Sequence, residues 1–258
     1  MDSIIKAIVF DLDDTLLEDE QNNKDAFFIT CKLAQKKYKN IDIKKLYSSV
    51  EYQAEKLWSQ YHLFKYLDNI QVSFWEGLCA GFHCNNQYFR QIRLWLPEYR
   101  HHTWSHALSA QNIFDLDLAK KLSENFILER TSRFNPFPEV ITVLEKLSQR
   151  KQLAILTNGD PYLQWTKISN SGLNRYFDTV IISGTLGVGK PEPDIFLHTI
   201  KKLNLLPNNI LMVGDNLERD VLGANKVGIK SVWINRKKKT NHTAVSPDLE
   251  ISSLMDLL

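Results

Sequence analysis

The chain has 258 residues, 43% hydrophobic and 24% charged, and its 32 basic and 30 acidic side chains leave a formal charge of +2. That much apolar material excludes a disordered chain, and the near balance of charge gives no reason to expect nucleic acid or a membrane as the main partner. No run reaches the roughly 18 apolar residues that a spanning helix needs, Asp11 follows the first residues with no leader-like stretch between, and three cysteines cannot all pair, so a reducing cytoplasm is the expected compartment.

Taken in chain order, Ile4–Phe10 is apolar and rich in β-branched residues, which predicts a strand. It ends in Asp11-Leu12-Asp13-Asp14-Thr15. From Leu17 to Arg133 the chain holds only Gly77, Gly81 and Pro97 as turn formers, and it carries 19 aromatic residues. Such a stretch reads as mostly helix. Helical spacing is visible in Phe27, Thr30, Leu33 and Ala34, in Leu46, Val50, Ala54 and Leu57, and again from Leu116 to Ile127.

Beyond Phe134 the pattern changes. Short apolar runs at Leu153–Leu156, Thr179–Ile182, Ile210–Val213 and Ile229–Ile234 alternate with helical patterns such as Val140–Leu147 and Ile195–Leu203. Alternation of that kind predicts an α/β fold with a doubly wound parallel sheet. Continuous apolar strands suit a sheet covered on both faces. The expected organisation is a sheet domain made of residues 1–16 and 134–258, interrupted by an all-helical domain over residues 17–133. Prolines 136 and 138 suit a hinge where the chain returns.

In open parallel sheets, ligands bind beyond the carboxyl ends of the strands. Four runs here end in polar residues: Asp11 and Asp13 after the first, Thr157-Asn158-Gly159 after the second, a loop to Lys190-Pro191 after the third, and Gly214-Asp215 with Asp220 after the fourth. Asp11 and Asp13, joined by Asp215 from another strand, would repel one another unless a cation lies among them. Hard oxygen ligands with open positions for water suit Mg²⁺. A divalent ion together with Lys190 is what a phosphoryl group needs as its charge spreads. A carboxylate such as Asp11 can attack phosphorus, and a second carboxyl two residues on can protonate the leaving oxygen and then activate water. Asp160-Pro161 reads as the cap and first turn of a helix whose amides, with the Thr157 hydroxyl, would face the phosphate.

These four motifs, in this order and each after an apolar strand, resemble the haloacid dehalogenase superfamily. Asp-x-Asp-x-Thr corresponds to its first motif, Thr157 to the hydroxyl of its second, Lys190 to the lysine of its third, and Gly214-Asp215 through Asp220 to its acidic fourth. The resemblance covers the sheet portion by motif, implying a Rossmann-like core, and the insertion by position and helical character, as a cap between the first and second motifs. It implies Asp11 as nucleophile and metal ligand. Asp13 would be general acid/base, lending its backbone carbonyl to the metal, and Asp215 would complete the protein's Mg²⁺ ligands. Thr157 and Asn158 would bind phosphate, and Lys190 would steady both nucleophile and phosphate. Asp220 would partner that lysine. Asp14 stands where many relatives carry glycine.

Other groupings read more plainly. His102 and His106 are one helical turn apart but have no acidic companions, so an exposed or capping role is expected. Cys79 and Cys84 match no zinc spacing and read as buried free thiols. The run Arg236–Lys239 reads as a solvated loop. Tyr47, Trp58, Tyr61, Phe64, Trp75 and Trp95 are expected mostly to fill a small helical core, with stacking on a substrate ring the alternative.

The expected activity is therefore that of a Mg²⁺-dependent phosphatase acting on a small phosphorylated metabolite of the nucleotide or sugar phosphate class, through an aspartyl-phosphate, with the cap choosing the substrate. The rivals are a phosphomutase on the same scaffold, a haloacid dehalogenase, and a non-catalytic binding protein.

Overall fold

The computed structural model describes residues 4–258. Among these residues six parallel strands form one sheet: β1 (Ala7–Phe10), β2 (Gln152–Thr157), β3 (Thr179–Ile182), β4 (Ile210–Gly214), β5 (Lys230–Ile234) and β6 (Leu249–Ile251), in the order β3-β2-β1-β4-β5-β6. Among the described residues the α-helices are α1 (Asp19–Lys37), α2 (Ile43–Ser59), α3 (Phe64–Asn69), α4 (Phe74–Cys79), α5 (Gln87–Ser109), α6 (Leu116–Ser132), α7 (Val140–Ser148), α8 (Pro161–Asn170), α9 (Ser183–Leu186), α10 (Pro193–Leu203) and α11 (Leu222–Lys226). Among the described residues, no helix is long and apolar enough to cross a membrane.

The chain divides into two compact units. One runs to Asp19 and takes in Asn135–Gly159 and Gln164–Leu258; the other is Glu20–Phe134 with Asp160–Leu163. The changeovers thus fall at Asp19 and Phe134, and the first turn of α8 groups with the helical unit rather than with the sheet.

In the sheet unit, β1 lies between β2 and β4, with Ala7 to Phe10 in register with Gln152 to Ile155 on one side and Ile210 to Val213 on the other. All four of its residues are buried, as a central strand covered on both faces requires. Its Ala7 and Val9 side chains join a core with Leu156, Met212, Ile195 and Phe196. Gly223 lets α11 come close to that core, since a Cβ there would stand 2.1 Å from the Phe196 ring. Two differences from the sequence reading have simple causes. The first strand starts at Ala7 rather than Ile4, because the paired register with β2 and β4 begins only there. The sixth strand, Leu249–Ile251, is three residues at the sheet edge, too short to show a period.

After β1 the chain forms a tight loop. Asp14 adopts φ 56°, and its N–H donates to the Leu17 carbonyl at 2.8 Å. The outgoing and returning segments then lie side by side: Phe137 N–H donates to the Leu16 carbonyl at 3.0 Å and Glu18 N–H to the Asn135 carbonyl at 2.9 Å.

The helical unit is built on aromatic packing. Phe27 stacks on Trp104 at 5.6 Å between ring centroids and meets Phe126 edge-on. Trp58 and Tyr99 approach to 5.3 Å. Gly77 makes room for both, for a Cβ there would stand 2.2 Å from the Trp58 ring. Tyr61 and Trp95 stack on each other at 3.9 Å, so these two rings are partnered within the unit. The longest helix, α5, carries Pro97 in its interior but keeps an apolar face of Phe89, Ile92, Leu96, Tyr99 and Ala107, spaced to lie on one side.

Candidate active site

The parallel register brings the carboxyl ends of β1, β2 and β4 together at one edge of the sheet, so residues 11, 157 and 215 leave their strands as neighbours. Asp11 remains tied to the sheet, its N–H donating to the Val213 carbonyl at 2.9 Å. One carboxylate oxygen from each of Asp11, Asp215 and Asp220 lies within 4.8 Å of the others, although Asp11 is far from the other two in sequence. Among the described residues this is the one group of three with metal-ligand geometry; His101, His102 and His106 form no such group and pack ring against ring.

Lys190 stands against that trio. Its Nζ is 2.5 Å from Asp11 Oδ1 and 2.6 Å from Asp220 Oδ1, and all three side chains are buried. Burial works against the Lys190 ammonium, but the two carboxylates outweigh it and raise its pKa. Asp11 is raised too, by burial first, with Lys190 pulling it down and Asp220 pushing it up. The Asp215 carboxyl is pushed up to about 8 by burial and by the charges of Asp11 and Asp220.

The three carboxylates are not equivalent. Asp220 spends Oδ1 on Lys190 and Oδ2 on the Asn216 N–H at 3.1 Å. Asp11 Oδ2 accepts a long hydrogen bond from the Thr15 hydroxyl, 3.3 Å, and the same hydroxyl accepts from the Asp215 N–H at 3.1 Å. The Asp215 carboxylate accepts no hydrogen bond from any described residue. A partly buried carboxylate without donors, facing two more, fits a hard divalent cation such as Mg²⁺.

The second motif is placed by β2 and α8. Thr157 is buried, and its hydroxyl accepts from Gln164 Nε2 at 2.7 Å. The expectation that Asn158 binds phosphate meets a side chain already committed elsewhere. Asn158 Oδ1 accepts the Lys190 N–H at 2.8 Å and its Nδ2 donates to the Lys190 carbonyl at 3.1 Å. This pairing holds the lysine-bearing loop, whose Lys190-Pro191 peptide is cis, against the end of β2.

Asp13 is not one of the acidic trio and has partners of its own. Both of its carboxylate oxygens face Lys167 Nζ, at 2.8 and 2.9 Å, and Oδ2 also accepts from Gln164 Nε2 at 3.0 Å. Burial and the neighbouring Asp19 push its pKa up to about 6 against the pull of Lys167. Gln164 and Lys167 are the residues that sequence reasoning missed. Their signal was weak: two polar residues three apart in a helix, which ordinarily mark a solvent face.

Two further readings are corrected. The run Arg236–Lys239 is a turn whose three lysines are exposed, but the Arg236 side chain is not solvated with them: its guanidinium lies 3.7 Å over the Phe137 ring, pairs with Glu139, and donates to the Thr15 carbonyl at 2.9 Å. The cation–π contact and the ion pair with half-buried Glu139 both draw it partly out of water. Cys31, Cys79 and Cys84 are free thiols, but Cys84 is only half-buried.

Residues 5–228 match a family model described as haloacid dehalogenase-like hydrolase. The chain is similar to the phosphoserine phosphatase of Thermus thermophilus, 30% identical over 254 residues that cover 98% of both proteins. It is similar to the N-acylneuraminate-9-phosphatase of Mus musculus, 27% identical over 260 residues covering 99% of this chain and 93% of that one. Among solved structures it resembles a 2-haloacid dehalogenase from Pseudomonas syringae, with a TM-score of 0.60, 26% identity, and coverage of 98% and 96%.

Proposed function

The chain belongs to the haloacid dehalogenase-like hydrolase family, and we propose that it hydrolyses a small phosphomonoester by way of an aspartyl-phosphate on Asp11, with Mg²⁺ held by Asp11, Asp215 and the Asp13 carbonyl. It is a phosphoric monoester hydrolase whose relatives along the whole chain are phosphatases of small phosphorylated metabolites. The observation that carries the reaction is the clamp of Lys190 on Asp11 and Asp220 beside the donor-less carboxylate of Asp215.

In this reading, an oxygen of Asp11 forms a bond to phosphorus as the bond to the leaving oxygen breaks. The leaving oxygen takes a proton from the Asp13 carboxyl, which becomes a carboxylate. Asp13 then removes a proton from the attacking water; the new P–O bond forms, the acyl phosphate opens, and Asp11 and inorganic phosphate are released. Lys190 fixes Asp11 for in-line attack and offsets phosphate charge. Asp11 and Asp215 would hold the metal, with the Asp13 carbonyl as a third protein ligand. When bound, the ion supplies electrostatic stabilisation of the transferring phosphoryl group. Thr157 would offer its hydroxyl to the phosphate, and the Asn158 side chain would act through the Lys190 loop.

Residues 17–133 would form the cap that selects the substrate, for which the nucleotide and sugar phosphate classes are the proposed range and the Thermus relative adds phosphoserine. The free cysteines fit a cytoplasmic enzyme. The likeness to a dehalogenase marks the shared scaffold; Asp13, fixed by its own partners, is a proton donor that attack on a carbon–halogen bond does not need.

The test is phosphate release from p-nitrophenyl phosphate and from a panel of nucleotides, sugar phosphates and phosphoserine, with Mg²⁺ and with a chelator. Wild type should turn over only with the metal, and Asp11→Asn should be inactive. Metal-independent turnover, or an active Asp11→Asn, would refute the mechanism. Isomerised rather than dephosphorylated product would make the enzyme a mutase.

A further inference from the structure

Two residues of α8, about one turn apart, converge on Asp13. Lys167 Nζ holds both of its carboxylate oxygens, at 2.8 and 2.9 Å, and reaches Asp19 Oδ1 at 2.9 Å. Gln164 Nε2 donates to Asp13 Oδ2 at 3.0 Å and to Thr157 Oγ1 at 2.7 Å, and lies 3.0 Å from the Asn158 carbonyl. Lys167 is 1% exposed and Gln164 is wholly buried.

An ammonium withdrawn from water is strongly disfavoured unless carboxylates meet it. Lys167 is met by two: Asp13 from the loop after β1, 154 residues away in sequence, and Asp19 from the start of α1. The Gln164 amide has two hydrogens for three acceptors, while its Oε1, also buried, has no partner among the described residues. Turning the amide over would set Oε1 against the Asp13 carboxylate and the Asn158 carbonyl, both acceptors only. The amide is therefore fixed as a donor bridging the first motif to the second. Filling the space behind the loop would need only apolar side chains, whereas this arrangement constrains both oxygens of one carboxyl group and its distance from the Thr157 hydroxyl.

We propose that Lys167 and Gln164 are positioning residues that hold the Asp13 carboxyl where it can hand its proton to the leaving oxygen. The proposal rests on the reading of Asp13 as general acid/base. Neither residue touches the reacting atoms; each acts through Asp13, and Gln164 also through Thr157.

Leaving-group dependence separates this from a structural role. Phenyl phosphate and p-nitrophenyl phosphate differ little in size, but phenoxide departs poorly without a proton and p-nitrophenoxide departs readily. With Mg²⁺ present, kcat/KM for both is measured in wild type, Lys167→Met, Gln164→Leu and Asp13→Asn. Loss of positioned acid catalysis should lower kcat/KM for phenyl phosphate by on the order of 10²-fold in the α8 variants, and change p-nitrophenyl phosphate far less. Since Lys167→Met leaves two carboxylates facing each other, Lys167→Met/Asp19→Asn provides a variant with that repulsion relieved, and Gln164→Leu introduces no charge imbalance. An equal loss on both substrates in the folded α8 variants would overturn the positioning role. If Asp13→Asn shifts the substrate ratio and no α8 variant does, the positioning role is wrong and the acid/base reading stands. If Asp13→Asn leaves the ratio unchanged, the acid/base reading fails and this proposal with it.

Discussion

Lys190 Nζ lies 2.6 Å from Asp220 Oδ1, in a place where neither side chain reaches water. The same nitrogen holds Asp11 at 2.5 Å, so one ammonium is shared by two buried carboxylates, and its removal would strand both.

Lys190→Met leaves both carboxylates uncompensated and should cost roughly 3–5 kcal/mol of stability in the metal-free protein. Lys190→Met/Asp220→Asn removes one of the stranded charges and should recover a good part of that. Urea midpoints of the three proteins decide it, and a double variant no more stable than the single would contradict the account.

Gly214 is where backbone and charge meet. A Cβ at this position would stand 2.2 Å from Asp220 Oδ2 and 2.5 Å from its Cβ. The Asp220 carboxylate cannot swing aside freely, because Lys190 holds one oxygen and the Asn216 N–H the other. Gly214→Ala should therefore cost about 1–3 kcal/mol by overpacking and depress turnover by displacing Lys190. Full activity at wild-type Tm would show that the loop after β4 yields more easily than its contacts imply.

The trio should report Mg²⁺ without any substrate. An ion that binds only the folded state at a hundred times its Kd adds about 2.7 kcal/mol, so Mg²⁺ should raise the Tm of wild type. Asp215→Asn should abolish most of that rise. An equal metal-induced shift in both proteins would place the ion elsewhere.

Asp160 carries a pH signature of its own. Its Oδ1 caps the start of α8 by accepting the Leu163 N–H at 2.8 Å, but Oδ2 is buried with no partner among the described residues. Burial pushes its pKa from 3.8 to about 6. A carboxyl whose pKa is raised on folding binds its proton more tightly in the native state, so it costs stability as pH rises through that interval. The cost is complete above pH 6 and is at most roughly 3 kcal/mol. Asp160→Asn keeps a capping oxygen and removes the charge. The variant should gain on wild type between about pH 4 and pH 6, measured as the difference in Tm, and a difference independent of pH would rule the explanation out.

The elements at the strand ends were legible because a parallel sheet turns sequence order into place. An apolar run followed by Asp11, Thr157 or Asp215 puts that residue at the sheet's carboxyl edge whatever lies between. Gln164 and Lys167 were not legible, since a polar pair on a helix looks solvated until its partner is known, and Asp13 is 151 and 154 residues away. Arg236 was hidden by its neighbours: three lysines follow it, and only the Phe137 ring and Glu139 distinguish it from them. Asp14 illustrates a backbone signal that sequence states only obliquely. The loop needs φ 56° there, a conformation that glycine enters freely and aspartate tolerates.

The paired backbone at Glu18 and Asn135 has a consequence for how such an enzyme can change. Whatever is spliced between those two positions starts and finishes at a single seam, so its length is nearly free: each doubling of a flexible loop adds only about 0.6 kcal/mol to closure. One intervening stretch can be traded for another while the seam, and the strand ends beside it, stay as they are.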